Sequence, residues 1–368
     1  MIVHAGRFVS SSRAPGLIPS TQLSGVQADQ LRRACGILLD QLGLGPVESP
    51  WRTAFAGNGV RLRAYHREGG GPALVIVSAP IKRPYIWDLS PEVSVVRRGL
   101  ERGWRVFLIE WLERKDEDRG LADYADRLIV DCLDAIRGET NLPRVTLVGH
   151  SIGGTLAAVC SAIHPERVAG LMLLETPLKF GDDAGSLGHL ATLTPTVRLR
   201  EVFRTIPGTL LDIAAVTASP GSFVLMPYVD AVLTVSHPTN ITTHLRVRRW
   251  TLDETPLPGH LFEEVVDRLY REDRFYRGTL IVNRRRASPE AVTMPLLTVL
   301  GADSRIVPLA SAVLLHEKAP SREKRLLRYG GDPGVALPHV GTLVGESAHR
   351  HLWPDVLQWL WARTANYD

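Results

Sequence analysis

The sequence predicts an α/β fold: a doubly wound, mostly parallel sheet interrupted by an inserted, mainly helical cap. Three observations carry that reading. Short, β-rich apolar runs recur in the first half, helix-period segments lie between them, and the alternation stops in the middle of the chain before strand signals return.

Taken in order, residues 1–20 carry Ser, Arg, Gly and Pro without periodicity, which predicts a loose N-terminal arm. From Thr21 to Leu44 the apolar positions Leu31, Cys35, Leu38, Leu39 and Leu42 recur at three and four, the spacing of one helical face. ALVIVSAP (73–80), RVFLIEW (105–111), RVTLVGH (144–150) and GLMLLETP (170–177) read as strands buried on both faces of a parallel sheet. Between the second and third lies LADYADRLIVDCLDAIRGE (121–139), with Leu121, Tyr124, Ala125, Leu128, Cys132 and Ile136 on one helical face. Another helix follows Ser151 and ends near HPER (164–167). Residues 181–293 mix Pro, Gly and aromatic residues with short helical pieces such as HLFEEVVDRLYRED (260–273). Strand signals resume in PLLTVLG (295–301) and KRLLRYGG (324–331), and WPDVLQWLWAR (353–363) closes the chain as an amphipathic helix. The expected division is an N-terminal arm and helix (1–50), a first part of the core (51–180), the cap insertion (181–293) and a second part of the core (294–368).

Composition narrows the classes. With 368 residues the length allows two or three domains, or one large α/β unit with an insertion. Apolar residues make up 45% and charged residues 22%, ordinary globular usage that argues against disorder. A net charge of +4 from 43 basic and 39 acidic side chains is too mild to imply a nucleic-acid partner. The clusters Arg246/Arg248/Arg249 and Arg284/Arg285/Arg286 read as solvated surface, with an anionic ligand as the alternative. Cys35, Cys132 and Cys160 form no disulfide framework and no metal-type spacing, so no metal or other cofactor is implied and a reducing, cytoplasmic setting is expected. No apolar stretch reaches the ~18 residues of a membrane helix, and the first residues lack the apolar core of a signal peptide.

GHSIG (149–153) fits G-x-S-x-G, in which a serine sits on a sharp strand-to-helix turn and flanking glycines relieve the crowding. RVTLV before it and GGTLAAVCSAI after it supply the required strand and helix. Ser151 is therefore the candidate nucleophile, and a serine hydroxyl needs a base. His339 in LPHVGTLVG lies after the last strand and before the final helix, where an α/β-hydrolase places its base. His150 adjoins the serine but is expected to point away from the hydroxyl as a packed residue, and His349 and His351 read as surface groups.

VSAPIKRPYIWDLSPEVSVVRRGLERGWRVFLIEW, GHSIGGTL, TPLKF, RIVPLAS and LPHVGTLVG, together with HLRVRRWTLDETPLPGHLFEEVVDRLY, resemble the ordered motifs of the polyhydroxyalkanoate synthase family over about Ala73 to Trp361. Those synthases are α/β-hydrolase-fold acyltransferases that load hydroxyacyl groups from coenzyme A onto a cysteine and extend a polyester. The resemblance implies the α/β-hydrolase fold, Ser151 at the nucleophile position, His339 as general base, and the backbone N–H groups of Ile81 and Ile152 as the oxyanion hole. Donors in those two places also suit the general physics of the fold.

Two positions depart from the family pattern. Serine replaces cysteine, and an oxygen ester is more stable than a thioester, which argues against polymerisation. The family's D-x-x-V-P becomes GADSRIVP, with Ser304 at the aspartate position and Asp303 one residue earlier. Asp303 and Glu175, at the end of LLETP, are the rival acids. Asp88 is expected to fix the loop after the first of these strands, Asp332 to form a turn, and Trp87, Trp250 and Tyr228 to line an acyl pocket or merely pack.

The expected function is acyl transfer through an acyl-enzyme on Ser151. The donor would be a thioester of coenzyme A or acyl carrier protein, and the acceptor an alcohol or water. An esterase, thioesterase or polyester depolymerase is one alternative, and a non-catalytic homologue binding acyl groups or a partner is another. A partner subunit or homo-oligomer stays open.

Overall fold

The computed structural model describes residues 20–65, 70–113, 118–235, 238–302 and 306–364. The expected arm at 1–20 and the carboxylate of Asp303 lie outside them, apart from Ser20. Eight strands form the main sheet: β1 (Arg52–Gly57), β2 (Val60–Ala64), β3 (Ala73–Val77), β4 (Arg105–Trp111), β5 (Val145–His150), β6 (Val168–Leu174), β11 (Leu296–Gly301) and β12 (Lys324–Tyr329). Between β6 and β11 come the short strands β7 (Thr205–Ile206), β8 (Leu257–Pro258), β9 (Leu280–Val282) and β10 (Arg285–Ala287), which pair among themselves. The order of the large sheet is β1-β2-β4-β3-β5-β6-β11-β12. β2 runs antiparallel to β1 and β4, and every other pair is parallel.

The continuous apolar runs follow from burial on two faces. Along β3, Ala73, Val75 and Val77 face the core shared with α3 (Leu128–Thr140) and α4 (Ile152–Ile163). Leu74 and Ile76 face the opposite core with α2 (Val95–Glu101) and α13 (Trp353–Thr364). The period of two assigns alternate side chains to opposite layers, so a strand in the middle can have no polar face. Chain order reverses at β3, with β4 on one side and β5 on the other. That switch point opens a crevice at the carboxyl ends of the strands, the usual ligand position in open α/β sheets.

Residues between β6 and β11 build α5 (Gly185–Leu193), α6 (Thr196–Val202), α7 (Gly208–Ala218), α8 (Met226–Thr234), α9 (Pro238–Thr251) and α10 (Gly259–Glu264). The N-terminal helix α1 (Ser20–Gln41) straps this segment. Asp29 accepts the backbone N–H groups of Gly208 (3.1 Å) and Thr209 (2.7 Å), satisfying donors at the start of α7. Asp40 takes the Arg249 guanidinium of α9 in two bonds of 2.8 and 2.7 Å. Beyond β11 come α11 (Leu309–Lys318) and α12 (Gly341–Val344). Among the described residues no single helix is long and apolar enough to cross a membrane.

Arg249 corrects one expectation. It is buried rather than part of a solvated patch, because α1 and Asp253 supply carboxylates around it. Arg285 and Arg286 stay exposed, as expected, while donating to the carbonyls of Ile163 and Gly278.

Candidate active site

Ser151 follows β5 with φ 53° and ψ −133°, a conformation that costs a non-glycine residue on the order of 1–3 kcal/mol. Its neighbours hold it there: His150 is paired with Leu174, and the Ser151 N–H donates to the Leu174 carbonyl at 3.0 Å. Two glycines make the turn sterically possible. A Cβ on Gly149 would collide with the backbone of Gly154, and one on Gly153 with the Val77 carbonyl of β3. The motif is therefore a packing requirement imposed by α4 starting directly against β3 and β5.

Ser151, His150, His339, Ile81 and Ile152 all line one cavity of about 280 Å³. The segment between β6 and β11 supplies much of the remaining wall, with Leu187, Leu211, Phe223 and Phe262 among its side chains. Trp87 and Trp250 line it too. Tyr228 does not: it is 67% exposed on α8, so its expected place in the acyl pocket is corrected. A mostly apolar hollow with a few converging polar groups is the ordinary form of a small-molecule site.

His339 sits in the short turn Pro338–Val340 and is buried. Its Nδ1 lies 4.0 Å from Glu175 Oε2. Glu175 is 1% exposed, has φ 45°, and anchors to β11 twice: its N–H donates to the Val299 carbonyl at 3.0 Å, and Oε1 accepts from the Gly301 N–H. Burial holds the His339 imidazole well below its ordinary value of 6.5, and His150 adds to the effect. Burial thus keeps the imidazole neutral, the form with a ring nitrogen able to accept a proton, while disfavouring the charged form.

His150 departs from its expected role as plain packing. Its Nε2 donates to the His339 carbonyl at 2.7 Å, and the two rings stand 4.5 Å apart. Burial lowers its own pKa to about 4, against the opposing effect of that hydrogen bond. The strand position alone could not reveal this contact, which joins residues far apart in the chain. His349 is also corrected from surface to interior: it is buried, and a ring nitrogen bonds the Leu343 carbonyl at 2.7 Å. His351 is exposed.

The loops that carry the site are held by polar contacts. Asp88 accepts from Ser49 N (2.5 Å), Ser49 Oγ (3.1 Å) and Ser94 Oγ (2.5 Å), bracing the chain after β3. Thr255 clamps the Ile81 loop, its N–H donating to the Ile81 carbonyl at 3.0 Å and its hydroxyl to Pro80 at 2.5 Å. Sequence reasoning missed Thr255, although it stands within the TLDETP stretch of the resemblance. Asp332 does more than form a turn: it accepts from the Tyr329 hydroxyl and from Ser347 N (2.9 Å). Among the described residues no group of three or more His, Cys, Asp or Glu side chains is arranged to hold a metal.

Comparison with known proteins agrees with this architecture. A family described as alpha/beta hydrolase fold matches residues 84–205. The poly(3-hydroxyalkanoate) polymerase subunit PhaC of Haloferax mediterranei is 28% identical over 79% of this chain, which spans 59% of that relative. The PhaC subunit of Allochromatium vinosum is 26% identical over 88% of this chain and 91% of its own length. Among solved structures, the monoacylglycerol lipase of Paleococcus ferrophilus superposes with a TM-score of 0.52 and 15% identity over 82% of this chain and 99% of that one. At that identity the lipase speaks for the fold alone. With its sheet order and matched segment taken together, the chain is an enzyme of the α/β-hydrolase fold, similar in sequence to poly(3-hydroxyalkanoate) polymerase subunits.

Proposed function

We propose that the protein transfers an acyl group from a thioester of coenzyme A or a carrier protein, through an ester on Ser151, to an alcohol. The observation that carries this reading is the meeting of Ser151 and His339 in one apolar cavity, with Glu175 4.0 Å from the imidazole. In the first half-reaction His339 takes the Ser151 proton as Oγ attacks the thioester carbonyl. The backbone N–H groups of Ile81 and Ile152 receive the oxyanion, the C–S bond breaks, and the proton leaves with the thiol. In the second, His339 takes the proton of the acceptor alcohol as its oxygen attacks the ester carbonyl, then returns that proton to Ser151 Oγ as the C–Oγ bond breaks and the new ester leaves. Glu175 orients the imidazole, with Asp303 as its rival.

The segment 181–293 acts in this reading as the cap that keeps water from the acyl-enzyme, which favours transfer over hydrolysis. The polymerase names of the relatives support an acyl thioester donor, and the word subunit in those names supports a partner subunit or a second copy.

The test is intact mass of the wild type and Ser151→Ala after mixing with short- and medium-chain acyl-coenzyme A. An adduct confined to the serine protein establishes the nucleophile. Faster decay with alcohols than in water makes the protein a transferase, while decay insensitive to alcohols makes it an esterase or thioesterase. Absence of any adduct, with no organophosphonate labelling either, overturns the enzymatic reading and leaves an acyl-binding protein.

A further inference from the structure

The loop between β12 and His339 is unusual in conformation. Gly331, Gly334 and Ala336 all have positive φ, at 86°, 88° and 57°. Glycine takes this region freely, but Ala336 is held there against the steric crowding of its Cβ. Something must over-determine the loop three residues before the proposed general base.

That constraint comes from the segment over the cavity. Asp230 of α8 accepts the Gly334 N–H on Oδ1 and the Ala336 N–H on Oδ2, each at 2.8 Å. His244 of α9 donates its Nδ1–H to Asp230 Oδ2 at 2.7 Å. Both residues are buried, 6% exposed each. An isolated carboxylate would not be stable there, but two backbone donors and an imidazole satisfy it. The Leu337 N–H then closes a tight turn onto the Val335 carbonyl at 2.6 Å, and Leu337 itself lines the cavity.

Three contacts thus locate the base: Glu175 beside its ring, His150 on its carbonyl, and Asp230 on the loop that delivers it. The first two come from the sheet, the third from the segment that covers the cavity. We infer that Asp230, braced by His244, is a positioning residue that sets the place of His339 and ties it to docking of the α8–α9 pair. This inference rests on His339 being the base. It has a functional consequence: the base loop is correctly set only while the covering segment is seated.

Turnover of p-nitrophenyl butyrate and the rate of organophosphonate labelling at Ser151 test it, in the full-length wild type, Asp230→Asn, Asp230→Leu and His339→Ala. Asp230→Leu removes both acceptors, and a displacement of about 1 Å at the base predicts a fall in kcat of ~10–100-fold with KM within about twofold. Asp230→Asn keeps one carbonyl acceptor in the same shape, so its kcat and labelling rate should lie between wild type and Asp230→Leu. A purely structural staple would lower the melting temperature without this graded loss of kcat in the folded protein. Wild-type kcat in folded Asp230→Leu overturns the inference; should that variant fail to fold, wild-type kcat in Asp230→Asn does so. Full activity of His339→Ala sinks the base assignment itself, whereas an inactive His339→Ala beside a fully active Asp230→Asn sinks only the latch.

Discussion

Glu175 occupies a conformation that few carboxylates adopt, with positive φ and 1% exposure at the end of β6. Its side chain is fixed by the Gly301 N–H, so Oε2 is presented to His339 without a search over rotamers. On this geometry Glu175→Gln should lower kcat by ~10²–10⁴-fold, the range set by loss of the acid in serine triads, with little change in KM. Asp303→Asn should stay within about threefold of wild type, and the opposite ranking in steady-state kinetics would move the acid to the loop after β11. The site was legible in the sequence to unequal depth. Ser151 could be read because the elbow is local, its glycines and serine falling within five residues. His339 followed from its place after the last strand. The acid could not be decided, because β6 and β11 are parallel neighbours whose ends emerge side by side, and the choice depends on which side chain turns toward the histidine. His150 and Asp230 were harder still, since each acts by touching backbone far away in the chain, for which composition and spacing carry no signal.

At the scale of elements, the junction of β5 and α4 depends on glycine for space. Gly149→Ala would drive a methyl group into the Gly154 backbone, which cannot swing aside as a side chain can. We expect destabilisation of about 3 kcal/mol or failure to fold. Gly138→Ala in α3 has open space around the new methyl and gains helix propensity, so its melting temperature should match or exceed wild type. Equal melting curves for the two variants would contradict the steric account of the elbow. The strands of the parallel sheet were readable because burial on both faces leaves uninterrupted apolar runs. The β1–β2 hairpin went unread even though its turn, Asn58-Gly59 with φ 51° and 79°, is a strong two-residue hairpin signal. β1 lies at the sheet edge with several exposed positions, so its apolar pattern is thin. The helices between β6 and β11 were poorly legible for a related reason. Leu193, Val232 and Leu233 are apolar yet exposed, which blurs the one-sided stripe that marks an amphipathic helix.

Across the whole molecule, four buried histidines couple the fold to pH. Burial lowers the pKa of His150, His316 and His349 to about 4 each, and places His339 well below 6.5. Two of them belong to the cavity, while His316 bonds Thr298 of β11 at 2.9 Å and His349 braces the turn before α13. All four are neutral in the folded protein at pH values where an unfolded imidazole has begun to bind its proton. A depressed folded pKa gives stability that is fully present above about 6.5 and lost as pH falls toward the folded value, at about 1.4 kcal/mol per pH unit for each histidine. The three whose folded value lies near 4 together approach roughly 4 kcal/mol per pH unit below about pH 6, a large share of the stability of many domains, and His339 acts in the same direction. Burial also raises the pKa of Glu48 and Asp212, which works in the opposite direction for those two groups. The balance favours a steep loss of stability below neutrality. Urea midpoints should therefore drop sharply between about pH 7.5 and pH 5.5, with protons taken up on unfolding. Replacing His316 and His349 together by Gln, away from the cavity, should flatten that dependence even if the protein is weaker at neutral pH. Midpoints that stay level across the interval in the wild type would mean that these imidazoles already exchange protons with solvent in the native state.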